Sequence, residues 1–483
     1  MLYSMLIESH LDEPRVIIAD EEREYNFAQL HARVRSYSAF LRSRGLKKGD
    51  RVLIADREPL ETVVLLLACI SEGFVFVPMN KNTGHEDREE IINNCTPALI
   101  IDAGTDIPAE LQTDTQNGIE NRKKHSKDTL VYIIYTSGTE GKARGVCGKQ
   151  SQILFCCDAI NRRLGNNKND RILCSLPLSF DYGLYQVFLA FMSGARLYLD
   201  CGEMLQHIPY LLRKWRITAF PTLPTTAALL VRAGLLEQTK AFCLRYISFT
   251  GEVLPVSLIL KLREAMPHTE VIPMYGMTEC KRVSVMPPGR EDKILKGSCG
   301  LPLDGVKVWL ADKNEKTGIG TLVVEGPNVM EGYWGIQDDD SGVFETNEMT
   351  GERRLYTGDL FFIDNDGFLY FCGRKNGIIK IRGYRVSSLW IENRVRAVQG
   401  VIQTAVTGMP DPVTGEHAVI FVYAVNDRVK DMVRETIYRM PSWLHNSEIY
   451  ILYTPFPRNR NGKTDIKKLC KMAKEGRFEI FRE

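Results

Sequence analysis

Several features of specialised proteins are missing from this sequence of 483 residues. The longest apolar run, Val63 to Ile70, is far shorter than the roughly 20 residues of a membrane-spanning helix. Met1 to Ile7 are apolar but lack a basic start and end at Glu8, which makes them a poor signal peptide. A formal net charge of +2 argues against the basic field typical of nucleic-acid-binding proteins. We therefore expect neither a membrane nor a nucleic acid as partner.

Paired cysteines are also missing. The 12 cysteines are scattered, with no CxxC spacing and no histidine cluster nearby. This pattern argues against structural zinc and favours reduced thiols in the cytoplasm. Internal repeats and low-complexity tracts are absent as well. With 44% hydrophobic and 25% charged residues, the chain has the composition of a globular protein and is long enough for two or three domains.

Strand and helix patterns alternate up to about residue 285. β-Branched and aromatic runs at Val16–Ala19, Arg51–Ile54 and Phe74–Pro78 predict strands, and amphipathic or apolar helix patterns separate them. This alternation predicts a parallel sheet covered on both faces. Residues 105–128 are polar and predict an irregular surface connection.

The remainder of the chain has a different pattern. Residues 295–375 alternate short strands with turns, which predicts a small β-rich subdomain. Helix and strand patterns beyond them predict a small α+β unit. We therefore expect a large domain over residues 1–375 and a small domain over residues 376–483.

A loop rich in glycine and hydroxyl side chains follows a predicted buried strand, Val131–Tyr135. The loop reads Thr136-Ser137-Gly138-Thr139-Glu140-Gly141-Lys142. Glycine lets backbone N–H groups approach anionic oxygens, and a nearby cation offsets their charge, so the loop suits phosphate. A Walker loop needs four residues between its glycines and Ser or Thr after the lysine, whereas Gly138 and Gly141 are closer and Ala143 follows Lys142. An ordinary surface turn is the alternative.

Glycine beside a polar or acidic residue recurs where predicted strands end. Examples are Thr250-Gly251-Glu252, Tyr275-Gly276-Met277-Thr278-Glu279 and Tyr356-Thr357-Gly358-Asp359-Leu360. Open α/β sheets bind ligands at the carboxyl ends of their strands, and an acidic residue there can accept the hydroxyls of a ribose. A basic, glycine-punctuated strip, Gly373–Val386, and a loop lysine, Lys463, follow. Taken singly, each has an ordinary alternative as an acidic turn or a solvated basic face.

Together these stretches resemble the adenylate-forming superfamily, which comprises acyl-CoA synthetases, peptide-synthetase adenylation domains and beetle luciferases. The resemblance covers about Tyr25 to Thr464, and the motifs occur in the family's order and approximate spacing. It implies an α/β fold: a large N-terminal domain of two α/β sheet subdomains plus a small β-rich subdomain, then a small mobile α+β domain with the catalytic lysine.

The resemblance also implies ATP and Mg²⁺. Catalytic roles would fall on Lys463, Thr139 and Glu279, with Glu279 as the metal ligand. The implied ATP- and AMP-binding residues are Thr136, Ser137, Gly138, Thr139, Gly141, Lys142, Gly251, Glu252, Tyr275, Gly276, Thr278, Asp359, Arg374 and Lys463. Asn376 would be the hinge between the domains, and Gly383 would lie beside a pantetheine arm.

Departures from the family pattern leave its catalytic positions in place. Glu140 stands where the family usually has threonine, which puts a negative charge beside phosphate. Ala143 and Arg144 replace the usual proline and lysine, and arginine keeps the charge. Trp390 replaces a common glutamate.

The acid substrate is predicted from Phe180-Asp181. In adenylation domains this aspartate binds a substrate amino group, so an amino acid is favoured, although similar stand-alone acyl-CoA ligases need no amine there. The residues that would line the acid pocket are Asp181, Tyr182, Tyr185, Ser248, Thr250, Met274, Arg282 and Val283. This mixed, polar lining suits a small functionalised acid better than a long fatty chain.

The acceptor of the activated acid has several candidates. No carrier-domain serine motif follows Lys463, so we expect any carrier protein that presents a pantetheine thiol to be a separate chain. Free CoA and an amine, giving an amide, are the alternatives. A non-catalytic nucleotide-binding protein is a further alternative, against which the complete set of catalytic positions argues.

Overall fold

The computed structural model describes residues 1–55, 57–107, 126–137, 143–200, 204–236, 243–338, 342–382, 384–411, 415–459, 463–478 and 480–481. The predicted connection over residues 105–128 lies largely outside this part, as does the centre of the phosphate loop, residues 138–142. Among the described residues, none of the helices combines the length and hydrophobicity needed to cross a lipid bilayer.

The larger part of the chain consists of sheets flanked by helices. Its strands are β1 (Val16–Ala19), β2 (Glu24–Asn26), β3 (Arg51–Ala55), β4 (Val75–Met79), β5 (Leu99–Ile101), β6 (Leu130–Ser137), β7 (Ala143–Lys149), β8 (Arg171–Cys174), β9 (Arg196–Leu199), β10 (Ala219–Thr222), β11 (Tyr246–Phe249), β12 (Glu270–Tyr275), β13 (Ser284–Val285), β14 (Leu301–Pro302), β15 (Lys307–Ala311), β16 (Gly320–Glu325), β17 (Gly332–Tyr333), β18 (Phe344–Thr346), β19 (Arg353–Ile363) and β20 (Leu369–Arg374). Its α-helices are α1 (Leu2–Leu6), α2 (Phe27–Ser43), α3 (Pro59–Glu72), α4 (His85–Cys95), α5 (Gln150–Leu164), α6 (Asp181–Ser193), α7 (His207–Lys214), α8 (Pro224–Arg232), α9 (Val256–Ala265) and α10 (Glu291–Ile294).

Two of the sheets have parallel centres. The six-stranded sheet has the order β17-β7-β6-β4-β3-β5, and the nine-stranded sheet has the order β14-β13-β12-β11-β10-β8-β9-β1-β2. Strands β3, β4, β5 and β6 pair in parallel, as do β8 to β12. These strands are apolar on both faces because helices cover both sides. The predicted strands of the first block are confirmed, with β4 displaced by one residue.

Parallel pairing places the ends of three strands side by side. In register, Thr222 of β10 lies beside Phe249 of β11, which lies beside Pro273 of β12. The residues that follow each strand therefore meet at one edge of the nine-stranded sheet, which is where such sheets bind ligands.

Helix α6 brings another chain segment to this edge. Strand β8 ends at Cys174, and Asp181 is the first residue of α6. A Cβ at Gly183 would lie 2.3 Å from the carbonyl oxygen of Pro177. Glycine is thus required for the segment before α6 to fold back onto its first turn.

A β-rich unit follows, as predicted. Its five-stranded sheet has the order β15-β16-β19-β18, with β20 paired to β19. In the antiparallel pair of β19 and β20, Asp359 lies opposite Arg374. Cross-strand neighbours have their side chains on the same face, so the register itself places this carboxylate beside this guanidinium.

The last part of the chain forms a separate α+β unit. It contains β21 (Ile378–Ile381), β22 (Tyr384–Ser387), β23 (Val401–Asp411), β24 (Gly415–Ala424), β25 (Glu448–Leu452), β26 (Ile480–Phe481) and the helices α11 (Ser388–Arg396), α12 (Arg428–Tyr438) and α13 (Ile466–Lys474). Buried apolar side chains from Ile379 to Ala473 form two clusters apart from the large core. The predicted fold class is confirmed, whereas the boundary between residues 375 and 376 stays a prediction.

Candidate active site

The ribose-binding candidate, Asp359, has two hydrogen-bonding partners. Its Oδ2 accepts a hydrogen bond of 2.7 Å from the hydroxyl of Tyr275. Its Oδ1 lies 3.0 Å from Nε of Arg374. Burial raises the pKa of Asp359, although Arg374 and Tyr275 act in the opposite direction. The structure thus brings together three predicted nucleotide-binding residues from two sheets.

The metal-ligand candidate, Glu279, lies in the same region. Its Oε1 accepts a hydrogen bond of 2.8 Å from Tyr333. Burial raises the pKa of Glu279, and the charge of Asp181 adds to this. A divalent cation would stabilise the charged form, and Mg²⁺ commonly takes one or two carboxylates together with phosphate oxygens. The carboxylate therefore fits Mg²⁺. Tyr333, on β17, was missed by the sequence analysis.

The phosphate loop is described only at its two ends. Strands β6 and β7 pair antiparallel, with Thr136 opposite Arg144 and Ser137 opposite Ala143. The Thr136 hydroxyl donates to the carbonyl oxygen of Arg144 at 3.4 Å. Of the predicted phosphate-binding residues, Gly138, Thr139, Gly141 and Lys142 lie outside the described residues, as does Glu140.

Lys463 reaches the large domain from the small domain. Its backbone N–H donates to Oδ1 of Asn459 at 3.1 Å, and the N–H of Asn459 donates to its carbonyl oxygen at 2.7 Å, which closes the turn before α13. A Cβ at Gly251 would lie 3.2 Å from Cε of Lys463, and Nζ is 5.6 Å from the ring centroid of Phe180. The side chain therefore lies directly against the sheet edge.

Charges around Lys463 come from every part of the predicted site. Burial lowers the pKa of Lys463, and the like charge of Arg374 lowers it further, while Asp181, Glu252 and Asp359 act in the opposite direction. Glu252 accepts a hydrogen bond of 3.2 Å from the backbone N–H of Thr225, and burial raises its pKa. Lys463 and Glu252 also line a cleft of about 950 Å³ between the large and small domains.

The glycines at the sheet edge leave space for close contacts. Gly251 has a φ of +88°, in the left-handed region that favours glycine. A Cβ at Gly276 would lie 2.1 Å from the carbonyl oxygen of Lys281, so no larger residue fits there. Thr278 directs its hydroxyl towards Oδ1 of Asp181 at 3.4 Å.

The predicted acid-pocket residues lie together, and all of them are buried: Asp181, Tyr182, Tyr185, Ser248, Thr250, Met274, Arg282 and Val283. The Tyr182 hydroxyl lies 2.9 Å from both the carbonyl oxygen and Oγ of Ser248. The Tyr185 hydroxyl lies 2.9 Å from that of Tyr132. Tyr185 and Val283 are 0% exposed, so neither side chain faces open solvent in this structure.

A residue that the sequence analysis did not select, Lys281, dominates this pocket. Its Nζ lies 2.9 Å from Oδ2 of Asp181 and 2.7 Å from the Asp181 carbonyl oxygen. Burial would raise the pKa of Asp181, but the ammonium of Lys281 holds it below the ordinary value. Burial lowers the pKa of Lys281 to about 8 although Asp181 opposes this. The available signal was a lysine within the otherwise mostly apolar stretch Cys280–Val285.

Two predicted residues of the small domain remain untested. Asn376 lies in a short 3₁₀ segment, Lys375–Gly377, between β20 and β21, and its hinge role stays a prediction. Gly383 lies outside the described residues, between the paired strands β21 and β22.

Comparison with known proteins identifies the family of this chain. A family model described as AMP-binding enzyme matches residues 8–334, and the model of its C-terminal domain matches residues 390–463. The chain belongs to the AMP-binding enzyme family. It is therefore a ligase of the adenylate-forming superfamily that uses ATP to form an acyl adenylate.

Similar proteins cover nearly the whole chain. The L-proline–[L-prolyl-carrier protein] ligase of Pseudomonas fluorescens is 25% identical, over 98% of this chain and 99% of the relative. By contrast, the chain spans only 6% to 12% of several long synthases that it also matches.

Solved structures share the fold. That of the O-succinylbenzoate coenzyme A synthetase of Bacillus subtilis, with ATP and magnesium, has a TM-score of 0.79 at 24% identity and covers 95% of this chain and 98% of that one. A structure of VinN with L-aspartate has a TM-score of 0.68 at 29% identity and covers 77% of this chain and 98% of that one.

Proposed function

We propose that this AMP-binding enzyme activates a small carboxylic acid and transfers it to the pantetheine thiol of a separate carrier protein. The position of Lys463 carries the proposal: this cation comes from the small domain and lies against Gly251, where it is influenced by Asp359, Glu252 and Asp181. Residues 1–375 would form the nucleotide-binding domain and residues 376–483 the domain that delivers the lysine.

In the first step a carboxylate oxygen attacks the α-phosphorus of ATP, and the bond to pyrophosphate breaks. Negative charge grows around that phosphorus, so a fixed ammonium there lowers the barrier. We assign this role to Lys463 and the α-phosphate contact to Thr278. Mg²⁺ held at Glu279 would neutralise charge on the departing pyrophosphate. Asp359 and Arg374 would orient the ribose, and the loop from Thr136 to Lys142 would bind the β- and γ-phosphates.

In the second step the thiol sulfur attacks the acyl carbon, and AMP leaves as the thiol proton is lost. The carrier-protein ligase among the relatives favours a carrier as acceptor. The coenzyme A synthetase with the same fold makes free CoA the second candidate. We assign the pantetheine channel to the region of Gly383.

Two comparisons favour an amino acid as the substrate, because one relative is named for L-proline and one similar structure holds L-aspartate. The pocket itself argues against an amino acid, because Lys281 already pairs with Asp181.

Pyrophosphate exchange with a broad panel of acids tests the first step, and trapping with CoA, carrier protein or amines then tests the acceptor. We expect ATP- and Mg²⁺-dependent exchange with at least one small acid, and thioester formation on a carrier protein. Absence of exchange with every acid would overturn the proposed activation, and thioester formation with CoA alone would overturn the proposed acceptor.

A further inference from the structure

The carboxylate of Asp181 lies in the field of three cations. The charges of Lys281, Arg282 and Lys463 all act on Asp181. The proposed function already gives Lys463 a role, which is to stabilise the charge that develops when the carboxylate attacks the α-phosphorus. The other two cations have no role in the proposed function, and they differ from each other in their partners.

The ammonium of Lys281 is engaged by partners within the protein. An ammonium has three N–H donors, and Nζ has Oδ2 and the carbonyl oxygen of Asp181 as acceptors at 2.9 and 2.7 Å. The same Nζ lies 4.1 Å from the ring centroid of Tyr185, a cation–π distance. The lysine is 0% exposed. It thus occupies the place that a substrate ammonium would take at Asp181, and it would repel a second ammonium there.

Arg282 is buried without an anion. It is 2% exposed, and its Nε has no hydrogen-bond partner in the described part of the chain. Its guanidinium carbon lies 5.0 Å from the ring centroid of Tyr182. No carboxylate of the described residues lies within ion-pair distance of its guanidinium. A buried charge is normally paired, because desolvation without a partner is strongly unfavourable.

The position of Arg282 places it at the ligand-binding edge. The N–H of the next residue, Val283, donates to the carbonyl oxygen of Tyr275 at 2.9 Å, so Arg282 lies near the end of β12. The neighbouring strand β11 is followed by Thr250, whose buried hydroxyl also lacks a partner. An anion beside Arg282 would therefore meet a cation and a hydroxyl donor at the same sheet edge.

We propose that the acid pocket selects a small dicarboxylic acid instead of an amino acid. One carboxylate reacts beside Lys463, the second pairs with Arg282, and Lys281 prevents Asp181 from binding an amine. This inference rests on the proposed acid activation, and it assigns Lys281 and Arg282 as the residues that determine which acid is bound.

The test compares acids of matched length in pyrophosphate exchange by the full-length wild-type enzyme. Malonate, succinate and glutarate are compared with propionate, butyrate and valerate, and with L-aspartate, L-glutamate and L-proline. We expect kcat/KM for one diacid to exceed that for its matched monoacid and for every amino acid by at least about tenfold. The reason is that a substrate without the second carboxylate leaves the buried charge of Arg282 unpaired.

Two variants locate the selectivity. Arg282→Gln should raise KM for the preferred diacid about tenfold or more and change kcat/KM for the matched monoacid by a clearly smaller factor, and Arg282→Lys should retain part of the preference. Arg290→Gln, at an exposed arginine paired with Asp292, is the control and should change neither. Lys281→Met frees Asp181 and should increase exchange with amino acids, a gain that misfolding does not produce.

The outcomes separate this inference from the proposed function. Exchange that is strongest with an amino acid or a monoacid overturns the inference and leaves acid activation standing. Equal loss of diacid and monoacid activity in a folded Arg282→Gln variant also overturns it. Exchange with no acid at all overturns both.

Discussion

The nucleotide side and the acid side of the cleft differ in how their carboxylates are compensated. On the nucleotide side, Asp359 and Glu279 accept hydrogen bonds from tyrosines, and burial raises the pKa of each. On the acid side, Asp181 pairs with a buried internal lysine, and its pKa is lowered. The carboxylates of the nucleotide side can therefore bind a cation or hydroxyl groups. The acid side has more positive than negative charge, because Lys281 and Arg282 lie there with Asp181.

Lys463 lies between the two sides, and removing it should have the largest effect. Lys463→Ala should lower the rate of pyrophosphate exchange about 100-fold or more, because a fixed donor to the developing charge is lost. Lys467→Ala, at an exposed position four residues along the chain, serves as the control. Near-normal exchange by a folded Lys463→Ala variant would remove the lysine from the reaction.

On the nucleotide side, Asp359→Asn should weaken ATP binding about 10- to 100-fold, because hydrogen bonds to a charged acceptor contribute about 1.5–3 kcal/mol. Isothermal titration calorimetry measures the Kd for ATP. Tyr275→Phe removes only a neutral donor to the same carboxylate and should cost less than about tenfold. Equal effects of the two variants would show that ribose is not held by the carboxylate.

The two sides also depend on one close approach, at Gly276. Gly276→Ala should lower the free energy of unfolding by about 1–3 kcal/mol, as overpacking does, because the new Cβ would meet the Lys281 carbonyl oxygen at 2.1 Å. Denaturant unfolding measures this. At Gly104 a Cβ would lie 3.6 Å from Oδ1 of Asp102, an ordinary contact, so Gly104→Ala should be nearly neutral.

The smallest effect that we expect is a shift in the pH dependence of pyrophosphate exchange. The ammonium of Lys463 is the active form, and burial and Arg374 lower its pKa below the ordinary lysine value of 10.5. Exchange at saturating ATP should therefore fall with rising pH at a midpoint below that value. Arg374→Gln removes a like charge and should move the fall to higher pH. An unchanged midpoint in this variant would show that the charge of Arg374 does not affect the pKa of Lys463.

The comparison also shows what sequence patterns can predict. The strand at Val16–Ala19 was predicted at its observed bounds, because β-branched runs are typical of buried strands. Asp359 and Arg374 were both predicted to bind the nucleotide from their motifs, whereas their pairing follows from the register of β19 and β20. The pair of Asp181 with Lys281 and the contact of Glu279 with Tyr333 join residues 100 and 54 positions apart. No local pattern reports such contacts, so only the folded chain reveals that the acid pocket supplies its own ammonium.

Gly251 offers a way to uncouple the two half-reactions. Its missing side chain leaves the room that Lys463 occupies, with Cε only 3.2 Å from where a Cβ would lie. A bulkier residue there would exclude the lysine from this position. Such an enzyme, supplied with chemically synthesised acyl adenylate, should still load its acceptor while failing to make the adenylate from ATP, which would turn the ligase into a one-way acyltransferase.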